Sequence, residues 1–187
     1  MDFEGNVKIL QENADVGALA DFCNGLTIEQ WDVWPDRQNN LFTHRNTKTF
    51  PLVWSSLGST SLPTVLMNVD SLAVKLVQPF IAFLENFYSA TVYKAMLTLL
   101  PKGGKIPPHT DSGKGLLTIH RCHLVVTAET GVDFTVGNET NFFTPGTLFE
   151  FNNTRKHSVT NNSSADRVHL IVDMLPLNVE DGKGALA

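Results

Sequence analysis

Cysteine is scarce in this chain, and so is any concentration of positive charge. Cys23 and Cys122 allow at most one bridge in 187 residues. That is too few for a disulfide framework, so reduced thiols in a cytoplasmic protein are expected. No basic run of the kind that tracks phosphates occurs, and the formal net charge is -5. A nucleic-acid or anionic-membrane partner is therefore not expected. Long apolar runs are missing too: the longest stretches are interrupted by Lys75, Gln78, Glu85 and Asn86, far short of a membrane span. The opening MDFEGNVKIL has early acidic residues and no basic start leading into an apolar run, so it does not read as a secretory signal.

What is present describes an ordinary globular chain, with 42% hydrophobic and 18% charged residues. The length suits one domain with a sizeable core. Val16 to Cys23 has apolar residues at helical spacing after Asp15 as a cap. Leu41 to Ser56 reads as extended pieces interrupted by Pro51. Ser71 to Tyr88 is the best helix, with Val74, Val77, Phe80, Ile81, Leu84 and Phe87 on one face. Pro79 inside it predicts a kink or two consecutive helices. From Thr91 the texture changes to short strands: Val92–Leu100, Leu116–Thr127, Val132–Val136, Thr147–Phe151, Ser158–Thr160 and Arg167–Met174. Each is bounded by Gly, Asn, Asp or Pro. Strands without intervening helices indicate an all-β sandwich or barrel, flanked by amino-terminal helices.

Five of the six histidines lie between positions 109 and 169. Pro107-Pro108-His109-Thr110-Asp111 sets an imidazole and a carboxylate two residues apart. On extended backbone both leave from the same face and can reach one ion. A third ligand from a distant strand would complete a facial triad, and His157 is the candidate. Alone, an HxD tripeptide is as readily a polar loop. Arg167, ten residues after His157, changes the weighting. A strand, the turn Asn161–Ser164 and a return strand would bring its guanidinium beside the metal. Arginine suits bidentate carboxylate recognition, and burying one in the apolar run Arg167–Val172 is costly without an anion to meet it.

The ordered motifs PPHTD, RCHLVV, FNNTRKHSVTN and DRVHLIVDMLP, within residues 91–176, resemble the aspartyl/asparaginyl β-hydroxylase family of Fe(II)/2-oxoglutarate-dependent oxygenases. The resemblance implies a mainly β, cupin-like jelly roll, the double-stranded β-helix. It implies Fe(II) on His109, Asp111 and His157, with 2-oxoglutarate and dioxygen as cosubstrates. It also implies that Arg167 grips the far carboxylate of 2-oxoglutarate, with Thr98 supplying a hydroxyl. Arg121 and His123 match an Arg-x-His pair near the cosubstrate and the substrate acid. Some animal members carry glycine where Asp111 stands, so a full three-ligand site is expected here.

On this reading residues 1–187 form one oxygenase domain, with 1–90 a helical, substrate-side region and 91–176 the β-helix core. The implied reaction hydroxylates a C–H, at the β-carbon of an Asp or Asn residue in a peptide or protein. A hydroxylase of a free amino acid or small acid stays open. So, from another class, does a cupin-like metal-binding protein that is not an oxygenase. His120 and Cys122 fall on the opposite face of their strand, His169 reads as a satisfied core histidine, and Asp173 as structural. Trp31, Trp34, Trp54, His44 and Arg45 are candidates to line a substrate cleft, with core packing the blander reading for most of them.

Overall fold

The computed structural model describes residues 5–32, 42–54, 65–66, 71–111 and 116–177. Among these, eleven strands form two antiparallel sheets. In chain order they are β1 (Val7–Gln11), β2 (Lys48–Trp54), β3 (Val65–Leu66), β4 (Ala90–Leu100), β5 (Lys105–His109), β6 (His120–Thr127), β7 (Val132–Val136), β8 (Glu139–Asn141), β9 (Leu148–Phe151), β10 (His157–Asn161) and β11 (Arg167–Pro176). The helices are α1 (Gly17–Asn24), α2 (Ile28–Trp31) and α3 (Ser71–Tyr88), with a 3-10 turn at Phe42–His44. The large sheet runs β1-β9-β6-β11-β4-β2-β3 and the small one β5-β10-β7-β8. The two antiparallel sheets make a jelly roll.

Burial explains why the central strands read as continuous apolar runs rather than alternating ones. β11 is covered on both faces. Val168, Leu170 and Val172 join a core that contains Leu19 of α1 and Val77, Ile81 and Leu84 of α3. The alternate residues Arg167, His169, Ile171 and Asp173 leave the opposite face, toward the small sheet. There a second core of Leu100, Ile106, Val125, Phe134, Phe149, Phe151 and Val159 holds the two sheets together. The same alternation along β6 sends Cys122, Leu124 and Val126 to the first core and Val125 to the second.

The expected long helix is present as one element containing Pro79, and Pro79 is exposed, on the face turned to solvent. Its buried stripe is Ala73, Val77, Ile81 and Leu84, whereas Phe87 is half exposed and stacks on Phe83. Residues 1–90 also supply β1, β2 and β3 to the large sheet, besides the helices. β6 starts at His120, because residues 116–119 form a turn rather than the beginning of that strand. β5 contains two consecutive prolines, which argue against a strand in sequence. It is accommodated because β5 is the edge of the small sheet, where a missing N–H leaves no ladder bond open. Pro51 is likewise accommodated inside β2 at a register shift against β4.

One buried side chain ties these pieces together. Asn161, at the end of β10, is fully buried. Its Nδ2 donates to the carbonyls of Leu100 (3.1 Å) and Ala165 (2.9 Å). Its Oδ1 accepts from the backbone N–H (3.1 Å) and hydroxyl (2.6 Å) of Ser163. Its own backbone carbonyl accepts from Gly103, whose φ of 73° needs a glycine, and its N–H donates to the Gly104 carbonyl. The turn from β10 therefore crosses from the small sheet to the large one in a fixed geometry. β11 returns opposite β10 and does not pair with it.

Asn161→Ala removes four side-chain hydrogen bonds at once. It is expected to destabilise the protein by ~2–3 kcal/mol, read as a lowered urea midpoint.

Candidate metal centre

β5 ends at His109 and β10 begins at His157, and the two are paired directly across the small sheet. Their ring centroids are 4.2 Å apart. Each ring is held through Nδ1 by the carbonyl two residues earlier, Pro107 for His109 (2.8 Å) and Arg155 for His157 (3.0 Å). A carbonyl can only accept, so Nδ1 carries the hydrogen and Nε2 keeps its lone pair. The Nε2 of His109 is buried and has no hydrogen-bond partner among the described residues. Asp111, just past β5, is fixed by its backbone N–H, which donates to the Asn153 carbonyl (3.1 Å). Donor atoms of His109, Asp111 and His157 all lie within 4.8 Å of one another.

Burial holds the His157 imidazole below its ordinary pKa, against the opposing pull of its Arg155 hydrogen bond and of Asp111. Neutral imidazole is the ligating form. Two such nitrogens and one carboxylate oxygen make a donor set suited to a divalent ion such as iron(II), with coordination positions left over. The residues present fit that ion.

The large sheet supplies the facing wall of the cavity. Thr98 of β4, Arg121 and His123 of β6, and Arg167 and Ile171 of β11 line it with the three donors. Arg167 is 1% exposed, and its Nη2 donates to Nδ1 of His169 at 2.6 Å. Since a guanidinium only donates, His169 Nδ1 accepts, and the Nδ1–H of His123 shares that acceptor at 3.2 Å. Burial first, then the charge of Arg167, keeps His169 neutral, well below its ordinary pKa. Thr98 lies opposite His169 and donates a long bond (3.4 Å) to its carbonyl.

Arg121 reaches the cavity wall with partners of its own. Its Nε and Nη2 donate to the two oxygens of Asp173 (2.7 and 2.8 Å), and its Nη1 donates to Asp111 Oδ2. Asp173 is fully buried. Burial opposes the charge on Arg121, but Asp173 and then Asp111 outweigh it and hold the guanidinium firmly protonated.

The remaining candidates divide clearly. His44 lines the cavity, its ring edge-on to His109 at 5.4 Å. Arg45 instead packs over Phe42 (4.4 Å), and Trp31 is buried in the core against Phe50. His120 lies on the far face, stacked on Tyr88 (3.9 Å) and bonded to the buried Glu150 (2.7 Å). Cys122 and Cys23 are free buried thiols; burial pushes Cys23 up to about 12. Trp34 and the loop 112–115 fall outside the described residues, as does the side chain of Trp54. The contributions of His169 and Asp173 escape sequence reasoning. Period-2 spacing from Arg167 puts both on its face, but their partners depend on how β6 lies against β11.

A family model described as aspartyl/asparaginyl beta-hydroxylase matches residues 21–176. No curated protein matches the chain. Among solved structures it is similar to a viral collagen prolyl hydroxylase from Paramecium Bursaria Chlorella virus-1, in complex with 2-oxoglutarate. That match has a TM-score of 0.59 and 8% identity, covering 92% of this chain and 97% of the other. A Pseudomonas putida prolyl-4-hydroxylase aligns with a TM-score of 0.56 and 10% identity over 92% and 94%. An oxidoreductase of the 2-oxoglutarate-Fe(II) oxygenase family from Burkholderia pseudomallei gives 0.54 and 13% over 69% and 67%. At these identities the likeness is one of fold. Among the described residues, no helix is long and apolar enough to cross a membrane.

The neutral His169 sets a pH dependence. The unfolded chain binds a proton there below its ordinary value of 6.5, while the folded protein keeps the ring neutral. Acid therefore favours unfolding, and stability falls as pH drops below about 6.5, by at most ~1.4 kcal/mol per pH unit from this residue. His157 acts in the same direction. His169→Gln is expected to flatten the slope of urea midpoint against pH between roughly pH 5 and 7.5.

Proposed function

The chain belongs to the aspartyl/asparaginyl β-hydroxylase family, and on that premise we propose that it is an Fe(II)- and 2-oxoglutarate-dependent oxygenase that hydroxylates the β-carbon of an Asp or Asn residue in a peptide or protein. His109, Asp111 and His157 would hold the iron, and Arg167, with Thr98 and His123, the far carboxylate of 2-oxoglutarate. The observation that carries this reading is the convergence of two inward-facing Nε2 atoms and the Asp111 carboxylate in a cavity whose far wall holds a buried guanidinium.

When bound, iron with 2-oxoglutarate and dioxygen supplies the oxidising power that turns a C–H into C–OH, while the cosubstrate loses carbon dioxide and becomes succinate. The chain's own contribution is to bind, orient and exclude water. His169 anchors the Arg167 guanidinium from behind, so the cation faces the cavity in one orientation. Ile106, Phe134, Phe151, Val159 and Ile171 keep the cavity wall apolar. His44 brings the segment before residue 90 to the face of His109, which supports a part for that region in choosing the substrate. The coupling of Arg167 to the buried His169–His123 pair favours the oxygenase over a cupin-like protein that only binds metal, since metal binding alone has no use for a buried guanidinium.

Anaerobic titration of the protein with Fe(II) and 2-oxoglutarate is expected to give a weak visible charge-transfer band. His157→Ala should abolish the band. Arg167→Ala should raise the half-saturating 2-oxoglutarate by about 10- to 100-fold, the equivalent of a lost charge-assisted contact. With a peptide library under air, mass spectrometry should find a gain of one oxygen on an Asp or Asn, matched by succinate. No band, and no succinate with any peptide or amino acid, would overturn the reading. Oxygen gained only by free amino acids would overturn the peptide substrate alone.

A further inference from the structure

We propose that Asp173 is the positioning residue for the metal-binding carboxylate, acting through Arg121. The inference rests on reading His109, Asp111 and His157 as the metal ligands.

Asp111 lies beyond the end of β5, and among the described residues its backbone N–H is held by Asn153. Nothing in that arrangement fixes the carboxylate plane. Arg121 does so from the opposite sheet, through Nη1 to Oδ2, which leaves Oδ1 as the oxygen available to an ion. A long arginine side chain is a poor guide unless its own plane is fixed. Asp173 fixes it by taking Nε–H and Nη2–H in parallel (2.7 and 2.8 Å), the bidentate geometry that arginine alone can make.

Asp173 is well placed for this. It is fully buried and sits directly across from Arg121 in the β11–β6 ladder. β11 is paired on both sides, by β6 and β4, so its backbone is among the least free to move. The chain Asp173–Arg121–Asp111 thus connects the centre of the large sheet to a donor set carried by the small one. The charges also balance to purpose. One buried cation lies between two carboxylates, which leaves one net negative charge for the metal. Three of the five N–H donors of Arg121 are committed to these two carboxylates.

The test uses the full chain and Co(II) alone as probe, with affinity and the visible d–d spectrum as readouts. Arg121→Lys keeps the charge but cannot hold two carboxylates in fixed planes, and Asp173→Asn removes the anchor. Each is expected to weaken Co(II) binding by about 10- to 100-fold, with an altered d–d band. Added to Asp111→Asn, which already lacks the ligand, Asp173→Asn should weaken binding no further. If Asp173→Asn alone does not fold because it leaves Arg121 buried and uncompensated, Arg121→Gln with Asp173→Asn removes both charges and carries the same expectation. A merely structural Asp173 would lower the melting temperature and leave the Kd and spectrum of the folded protein at wild-type values, which would overturn the proposal. So would an Arg121→Lys variant that binds Co(II) normally and only raises the half-saturating 2-oxoglutarate. Failure of the wild-type chain to bind Co(II) saturably would instead sink the metal-site reading beneath it.

Discussion

The antiparallel pairing of β5 with β10 at His109 and His157 is the contact on which the rest of the site depends. It brings two imidazoles to 4.2 Å and leaves both Nε2 atoms on the same side. A slip of one residue would turn His157 to the other face of the small sheet, because side chains alternate along a strand. Several features guard that register. The two prolines suit β5 only to an edge position, and Asn161 locks the far end of β10 to the β4–β5 turn. The same asparagine fixes the crossing to β11, so the spacing between His157 and Arg167 becomes a distance across the sandwich rather than along one hairpin.

A polar cavity between two apolar sheets is stable only if its charges are answered, since an isolated buried ion is costly. Here the answer is a division of labour. One arginine, Arg121, is flanked by two carboxylates, one of them the candidate metal donor Asp111. The other, Arg167, is backed by the neutral His169, which is itself bonded to His123. That contrast gives two guanidiniums of one wall different tasks. The first is bound to the Asp111 carboxylate, and the second lines the cavity. Aromatic rings of Phe134, Phe149 and Phe151 enclose His123, so the network is packed as well as hydrogen-bonded.

Much of the fold was legible in the sequence, for definite reasons. The helix Ser71–Tyr88 and the strands around Val92–Leu100 and Arg167–Met174 showed themselves by apolar periodicity or continuity. The strands that were not foreseen, β1, β3, β5 and β8, are short or proline-bearing edge pieces, whose formation depends on a neighbour rather than on local preference. At the candidate site the HxD spacing, His157 and Arg167 stood out because polar residues in strand contexts ask for a partner. What those partners are did not stand out. Asp173 looked like any acidic residue on a last strand, and nothing near Arg121 in the sequence pointed to it.

Local chemistry fixed by the chain alone settles which side chains can bind a metal or an anion, and which faces of each strand they share. The order of the motifs also sufficed to name the family. Only the tertiary structure decided that β10 and β11 stand in different sheets, and that Arg121 meets Asp173 and Asp111 rather than solvent. The reason is that partner choice depends on strand registers between distant segments, 52 residues apart for Arg121 and Asp173. Those registers are set by the packing of two cores at once, a global condition that no short stretch of sequence encodes.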